Sequence, residues 1–193
     1  MIPEEFKDEP NMNVWGQAMD NLRWNFDDEQ AYIRDMFANL LISDIDSRTK
    51  KRVLPSYVSI VTQLSKQDAN FLKELCAKNS SNSATTFSLR WEKTNGEYIR
   101  ISNKRVIILT DHGDRLSLAS EILDNLERLK ILDLQRGEYL IKDKKKCEEI
   151  LDEVKGNYPV PLGFEKVNSE QGKLDITEFG RGFLDICIKS DCK

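Results

Sequence analysis

The stretch LASEILDNLERLKILDLQRGEYLI, residues 118–141, decides how the second half of this chain is interpreted. Its first part predicts a helix capped by Ser117, because leucine and isoleucine recur at three- and four-residue intervals. The segments ILDL and EYLI then predict two short strands joined by a turn at Gly137. A helix followed by a small two-stranded wing is the pattern of a winged-helix unit. The predicted inward side of the helix consists of Leu118, Ile122, Leu126 and Leu129.

The residues before this stretch favour helices first and strands later. Apolar residues at helical spacing follow the acidic segment DDE at 27–29 and predict a second helix. Pro55 predicts the start of a third helix, and Ser65 with Asp68 predicts the N-terminal cap of a fourth. The predicted fold class is therefore α+β. An N-terminal helical part, 1–64, precedes a winged-helix-like domain with a small antiparallel sheet, 65–193, and the two could share one core. The apolar stripe of the predicted second helix consists of Ile33, Met36, Phe37, Leu40 and Leu41.

The period of the apolar residues changes after residue 85. TFSLRW, 86–91, and EYIRIS, 97–102, alternate around an Asn-Gly pair, which predicts a hairpin. RVIIL, 105–109, fits either a third strand or the approach to the next helix. Residues 143–155 predict a charged helix, and residues 156–172 are loop-like.

Composition restricts the class of protein. The longest aliphatic runs are far shorter than the roughly 20 residues that span a bilayer, and no secretory signal is visible. The four cysteines are scattered without a CxxC pair, which is typical of free thiols in a reducing compartment. We therefore expect a cytoplasmic protein.

Acidic residues are concentrated near the start of the chain. Residues 1–46 carry 11 of them against three basic residues. Such a surface either binds a basic protein partner or is simply solvated, and both interpretations stay open. The predicted protein-binding residues are Asp27, Asp28 and Glu29. Nearby Trp15, Trp24 and Phe26 fit either the core or a subunit interface, so an oligomer also stays open.

The helix within 118–141 poses the question of DNA binding. Its outer side carries three acidic and two basic residues, and carboxylates near phosphates are repelled. We therefore favour protein contact or structural packing over nucleic-acid contact. In the alternative, a winged-helix DNA-binding regulator encoded on a mobile element, two basic runs would contact phosphates: RTKKR at 48–52 and KDKKK at 142–146. The residues assigned to DNA in that alternative are Asn125, Arg128, Lys144, Lys145 and Lys146.

No catalytic residue, metal site or cofactor is assigned. The only histidine, His112, lies in TDHGD, 110–114, which fits a polar turn better than a metal site. A GxSxG elbow and a phosphate-binding glycine loop are missing from the sequence. We predict that the chain is not an enzyme, with a carboxylate-dependent nuclease as the third alternative.

Four segments together resemble the Abi-alpha (abortive infection alpha) family, a bacterial domain of unknown function. They are IPEEFKDEPNMNVWGQAMDNLRW with YIRDMFANLLISDID, then LPSYVSIVTQLSKQDANFLKEL, ILDNLERLKILDL, and LDITEFGRGFLDICI. The resemblance covers nearly the whole chain. It implies a role in abortive infection, in which a bacterial cell blocks phage propagation, and it carries over no catalytic motif. Family members commonly have further residues before the domain, which leaves two expectations open: a short member of the family, or a shortened chain that lacks an upstream effector or membrane-associated segment.

Overall fold

The computed structural model describes residues 2–23, 31–78, 83–101, 105–109, 115–137, 148–149, 152–153 and 155–188. The chain divides into two compact units, one of Met1–Ala77 with Glu178–Lys193 and one of Lys78–Thr177. The first is helical and the second holds an antiparallel sheet, so the predicted α+β class, with helices preceding strands, is confirmed. The division into 1–64 and 65–193 stays a prediction.

The first unit is built from five α-helices among the described residues. The predicted stripe of the second helix is buried along its whole length, and the third helix begins at the proline that predicted it. Short 3-10 turns lie at Glu4–Phe6 and Lys50–Arg52. The helices are α1 (Met12–Leu22), α2 (Ala31–Asp44), α3 (Pro55–Gln63), α4 (Lys66–Lys78) and α6 (Glu178–Cys187).

A reciprocal cap starts α4, as the sequence predicted. The Asp68 backbone N–H donates to Ser65 Oγ at 3.1 Å, and the Ser65 N–H donates to Asp68 Oδ2 at 2.8 Å. The cap thereby gives a hydrogen-bond partner to two backbone N–H groups, those of Ser65 and Asp68, that have none within the helix. The inward side of α4 then buries Ala69, Leu72 and Leu75.

Helix α6 completes the first unit from the far end of the sequence. Its last carbonyl, at Cys187, accepts a 2.9 Å hydrogen bond from Asn39 Nδ2 of α2. On the side facing α3, the Tyr57 ring lies edge-on to Phe179 and Phe183, each at 5.5 Å between centroids. The GRG segment, 180–182, therefore belongs to a packed helix.

The second unit contains a six-stranded antiparallel sheet in the described residues. Its strand order is β4-β3-β1-β6-β5, and β2 pairs with the end of β1 that β3 leaves open. The predicted hairpin is confirmed, with Gly96 adopting a φ of 84° in its turn. The strands are β1 (Ser83–Glu92), β2 (Tyr98–Arg100), β3 (Arg105–Leu109), β4 (Arg115–Ala119), β5 (Leu132–Arg136) and β6 (Lys166–Ile176).

Two local predictions about this unit are wrong. Ser117 and Leu118 belong to β4 instead of the helix, because Leu118 pairs with Val106 across the β3–β4 ladder. The helix α5 spans Ser120–Arg128 and has no side-chain cap at Ala119. The loop predicted at 156–172 ends early, since β6 begins at Lys166 and pairs with β1 over ten residues.

The end of α5 is closed by a Schellman motif, in which a residue in the left-handed region reverses the chain. The Ile131 N–H donates to the Leu126 carbonyl at 3.0 Å and the Lys130 N–H to the Glu127 carbonyl at 2.9 Å. Lys130 holds the left-handed position with a φ of 61°. β5 then follows α5 as predicted and pairs with β6. The predicted second wing strand lies outside the described residues, so the winged-helix interpretation stays a prediction.

The prediction that all four cysteines are free thiols is wrong at Cys76. Cys76, buried in α4, is disulfide-bonded. Cys187 is a buried thiol. Sequence spacing cannot reveal such a pairing, because only the fold brings two distant cysteines within bonding distance.

Candidate interaction surfaces

The basic turn RTKKR, 48–52, is bound to acidic groups of the same unit. The Arg48 guanidinium bonds the Asp46 carboxylate through two contacts, Nη2 to Oδ2 at 2.6 Å and Nε to Oδ1 at 2.9 Å. The same guanidinium lies 4.5 Å above the centre of the Phe6 ring. This bidentate pair, stacked on an aromatic ring, holds Arg48 against the protein surface.

Two further basic residues of the turn, Lys50 and Arg52, also form ion pairs with acidic residues of the first unit. Lys50 Nζ lies 3.0 Å from Asp8 Oδ2 and donates to the Glu9 carbonyl at 2.5 Å. The hydrogen bond from Lys50 lowers the pKa of the Asp8 carboxyl. Arg52 forms an ion pair with Asp185 of α6. The turn is therefore largely neutralised before any ligand arrives.

The outer side of α5 holds two of the residues assigned to DNA in the alternative interpretation. Arg128 Nη2 donates to Asn125 Oδ1 at 2.8 Å, so these two side chains bond each other along the helix. Glu121 and Asp124 are exposed on the same helix. Lys144, Lys145 and Lys146 lie outside the described residues, as does the TDHGD segment.

The acidic stretch at the start of the chain is partly internal. Asp44 is buried and its Oδ2 accepts a 2.7 Å hydrogen bond from the Asn11 N–H, where the positive end of the α1 dipole stabilises a carboxylate. Asp46 is also buried, against Arg48. The predicted protein-binding residues Asp27, Asp28 and Glu29 lie outside the described residues, together with Trp24 and Phe26.

An apolar surface in the second unit was missed by the sequence reasoning. We call it the Trp91 surface, and it combines β1, the edge strand β2 and the loop before β6. Trp91 Nε1 donates to the Pro159 carbonyl at 3.2 Å, and its ring lies 6.1 Å from that of Phe164. Ile99 is the cross-strand partner of Trp91, so both side chains lie on one side of the sheet. The Trp91 surface consists of Trp91, Ile99 and Phe164, and the loop before β6 also exposes Val160 and Leu162.

The other side of the same strand ends carries a polar cluster around Glu92. Its Oε2 accepts a 2.6 Å hydrogen bond from Asn168 Nδ2 and lies 3.7 Å from Arg90 Nη2, while Oε1 lies 3.9 Å from Lys166 Nζ. The Asn168 hydrogen bond, and then the two positive charges, hold the pKa of Glu92 below its usual value. The Arg90 guanidinium also lies 4.4 Å above the Tyr98 ring. The Glu92 carboxylate is thus paired within the chain, whereas the buried Arg90 Nε has no hydrogen-bond partner among the described residues.

Comparison with known proteins agrees with the resemblance drawn from four segments of the sequence. The model of the family described as Abortive infection alpha matches residues 1–187. The chain belongs to the abortive infection alpha family. No curated protein and no solved structure matches it.

For an abortive infection alpha protein, the described surfaces differ in what they offer a partner. The basic turn and the Glu92 cluster have formed their ion pairs within the chain. The Trp91 surface and the loop before β6 instead expose the aliphatic side chains of Ile99, Val160 and Leu162. Its sequence signal was the run PVPLGF, 159–164, in which apolar residues and two prolines occupy a segment predicted only as a loop. Helices long and apolar enough to cross a membrane are missing from the described residues.

Proposed function

We propose that this abortive infection alpha protein acts in phage defence, in the bacterial cytoplasm, by contacting another protein. Family membership supports the association with abortive infection. The observation that carries the choice of a protein partner is the internal pairing of the RTKKR turn with Asp46, Asp8 and Asp185. The proposal assigns no catalytic residue and no cofactor.

The pairing matters because binding to nucleic acid draws its affinity mainly from cations that neutralise phosphates. A phosphate that approached Arg48 or Arg52 would compete with a carboxylate that already binds part of its guanidinium and offsets its charge. On α5 the exposed Glu121 and Asp124 would repel the backbone of a duplex. Both surfaces therefore favour protein contact over DNA contact.

The proposal is tested by phage challenge of a bacterial host that carries the complete gene with its flanking coding sequence. We expect fewer plaques, with infected cells dying before they release phage, across a panel tested at high and low phage dose. A host without the gene is the control. Normal plaque numbers across the whole panel would contradict a role in defence.

A DNA titration tests the mechanism separately from the defence role. For the purified chain we expect weak binding with little dependence on salt. A steep linear fall of log affinity with log salt concentration, with a slope set by the number of neutralised phosphates, would favour the winged-helix DNA-binding regulator instead.

The acidic segment provides a further test of partner binding once a partner is known. Neutralising Asp27, Asp28 and Glu29 together should weaken capture of a basic partner, because their charge would then be the attraction that binds it. Unchanged capture would leave this segment as solvated surface.

A further inference from the structure

We propose that Cys76 is one half of a redox switch, which is open as thiols in unstressed cells and closes as a disulfide when the cell meets a peroxide. Cys76 lies in α4 of the first unit and is disulfide-bonded. The proposal rests on the proposed cytoplasmic location, because disulfides of proteins in a reducing compartment are usually transient and respond to oxidants. It adds a regulated state to the chain and assigns no catalytic residue.

Oxidation selects one of the two cysteines described in the first unit. Cys76 and Cys187 are both buried, with 5% and 0% of their surfaces exposed. Cys187, in α6, is nevertheless a thiol. Since burial is similar at the two positions, Cys76 differs in having a second sulfur within bonding distance. Cys187 therefore serves as the internal reference for measurements of the switch.

The closing step balances with a hydroperoxide as the oxidant. The hydroperoxide transfers an oxygen atom to one thiol, which becomes a sulfenic acid, and is itself reduced to an alcohol, or to water if it is hydrogen peroxide. The other thiol then attacks the sulfenic sulfur, the S–S bond forms and water leaves. Burial assigns this second role to Cys76, because a buried thiol is shielded from oxidants in water. Two cellular thiols reopen the bond by exchange and leave as their own disulfide.

Closing the bond should stabilise the core around α4. Cys76 is buried on this helix together with Leu72 and Leu75. A disulfide restricts the unfolded chain and so favours the folded state, by more when it closes a longer loop. The nearest other cysteine in the sequence is Cys147, so a bond within the chain closes a long loop. Oxidation is therefore expected to make the protein more resistant to unfolding.

Thiol labelling in cells tests the switch directly. Cells that carry the complete gene are quenched in acid before and after brief exposure to hydrogen peroxide, and free thiols are alkylated. Disulfides are then reduced and labelled with a second, isotopically distinct reagent. We expect the Cys76 peptide to change from the first label to the second on oxidation, while the Cys187 peptide keeps the first label throughout. A Cys76 bond already closed in unstressed cells, or still open after peroxide, would overturn the proposal.

Unfolding of the purified chain tests the effect of the bond. The oxidised wild type should unfold at a midpoint roughly 5–15 °C above that of the reduced wild type. Cys76→Ala should show the same midpoint with and without reductant, and Cys187→Ala, a substitution of an equally buried thiol, should keep the difference. Each comparison is made within one variant, so the cost of the substitution cancels. Equal midpoints of the two wild-type forms would overturn the proposal.

Two further variants show whether the bond lies within one chain. Either Cys147→Ala or Cys192→Ala, and not both, should abolish the oxidised form. Persistence of the bond in both variants, or its migration as a dimer on a non-reducing gel, would contradict a switch within one chain.

Phage challenge separates the switch from the defence role. If the wild type protects its host while Cys76 keeps one label under all conditions, the switch is rejected and the defence role stands. If the wild type fails to protect, the defence role is rejected, and the labelling still decides the switch.

Discussion

Gly182 of α6 faces the hydroxyl of Tyr57 so closely that a methyl group on Gly182 would stand 2.7 Å from that oxygen. The glycine therefore sets how closely α6 can approach α3. Both rings that flank Tyr57, Phe179 and Phe183, come from α6. The close approach keeps this aromatic group packed.

Gly182→Ala should lower the free energy of unfolding by about 1–3 kcal/mol, the usual cost of overpacking a core. Urea denaturation measures it. Gly16→Ala is the matched control, because Gly16 lies in α1 with open space around it and should gain about 0.5–1 kcal/mol. Adding Tyr57→Phe should restore part of the loss, since it removes the atom that clashes. An unchanged loss in the double variant would show that the hydroxyl is not the obstacle.

Lys130→Gly should stabilise the chain by about 1 kcal/mol, because Lys130 occupies a left-handed position that costs an L-residue energy and glycine almost none. Thermal unfolding measures the change. Lys130→Ala removes the same long side chain but keeps a Cβ, so it should bring no comparable gain. Equal gains from both variants would attribute the effect to the lost charge.

The Glu92 carboxyl should titrate below its ordinary pKa of 4.5, chiefly because of the Asn168 hydrogen bond. A lowered pKa in the folded chain means that the stabilisation is present at higher pH and is lost as pH falls through the folded value. Asn168→Ala should raise the pKa of Glu92, measured by NMR titration. Glu97, whose pKa is lowered mainly by Lys93, is the internal control and should not move. A Glu92 pKa that does not respond would assign the shift to the neighbouring charges.

The disulfide at Cys76 predicts a difference between purified and cellular protein. Air-oxidised, denatured protein should show two titratable thiols fewer than reduced protein, as measured by thiol counting. A cytoplasmic location predicts that alkylation in intact cells traps Cys76 as a thiol, because cytoplasmic reductants keep such bonds open. Cys187→Ser is a control that should leave the disulfide intact. Equal thiol counts with and without reductant would contradict the disulfide.

The features that sequence predicted correctly are those that local chemistry decides. Ser65 and Asp68 cap α4 through bonds between near neighbours, and the stripe of α2 requires only a constant helical spacing. Leu118 was misassigned because its spacing also fits the helix that follows. Only its pairing with Val106 of β3 places it in a strand.

The Trp91 surface depended on contacts between distant residues. Trp91 and Pro159 bond across 68 positions, and PVPLGF carries no periodic pattern that would reveal where Trp91 lies. The start of β6, KVNSEQG, lacks alternating apolar residues, yet it forms a strand because β1 supplies its hydrogen bonds. The ion pair of Arg52 could not be predicted from the sequence either, because its partner Asp185 lies near the opposite end of the chain.

The discontinuous first unit has a consequence for protein synthesis. Asn39 leaves the ribosome long before Cys187, whose carbonyl it bonds across 148 positions. The nascent helices α1 to α4 must therefore wait, with the α2 surface that will receive α6 still uncovered, while the whole second unit is translated. The first unit, whose N-terminal helices are translated first, therefore completes its packing last. Chaperones should accordingly engage the N-terminal helices on the ribosome until α6 emerges.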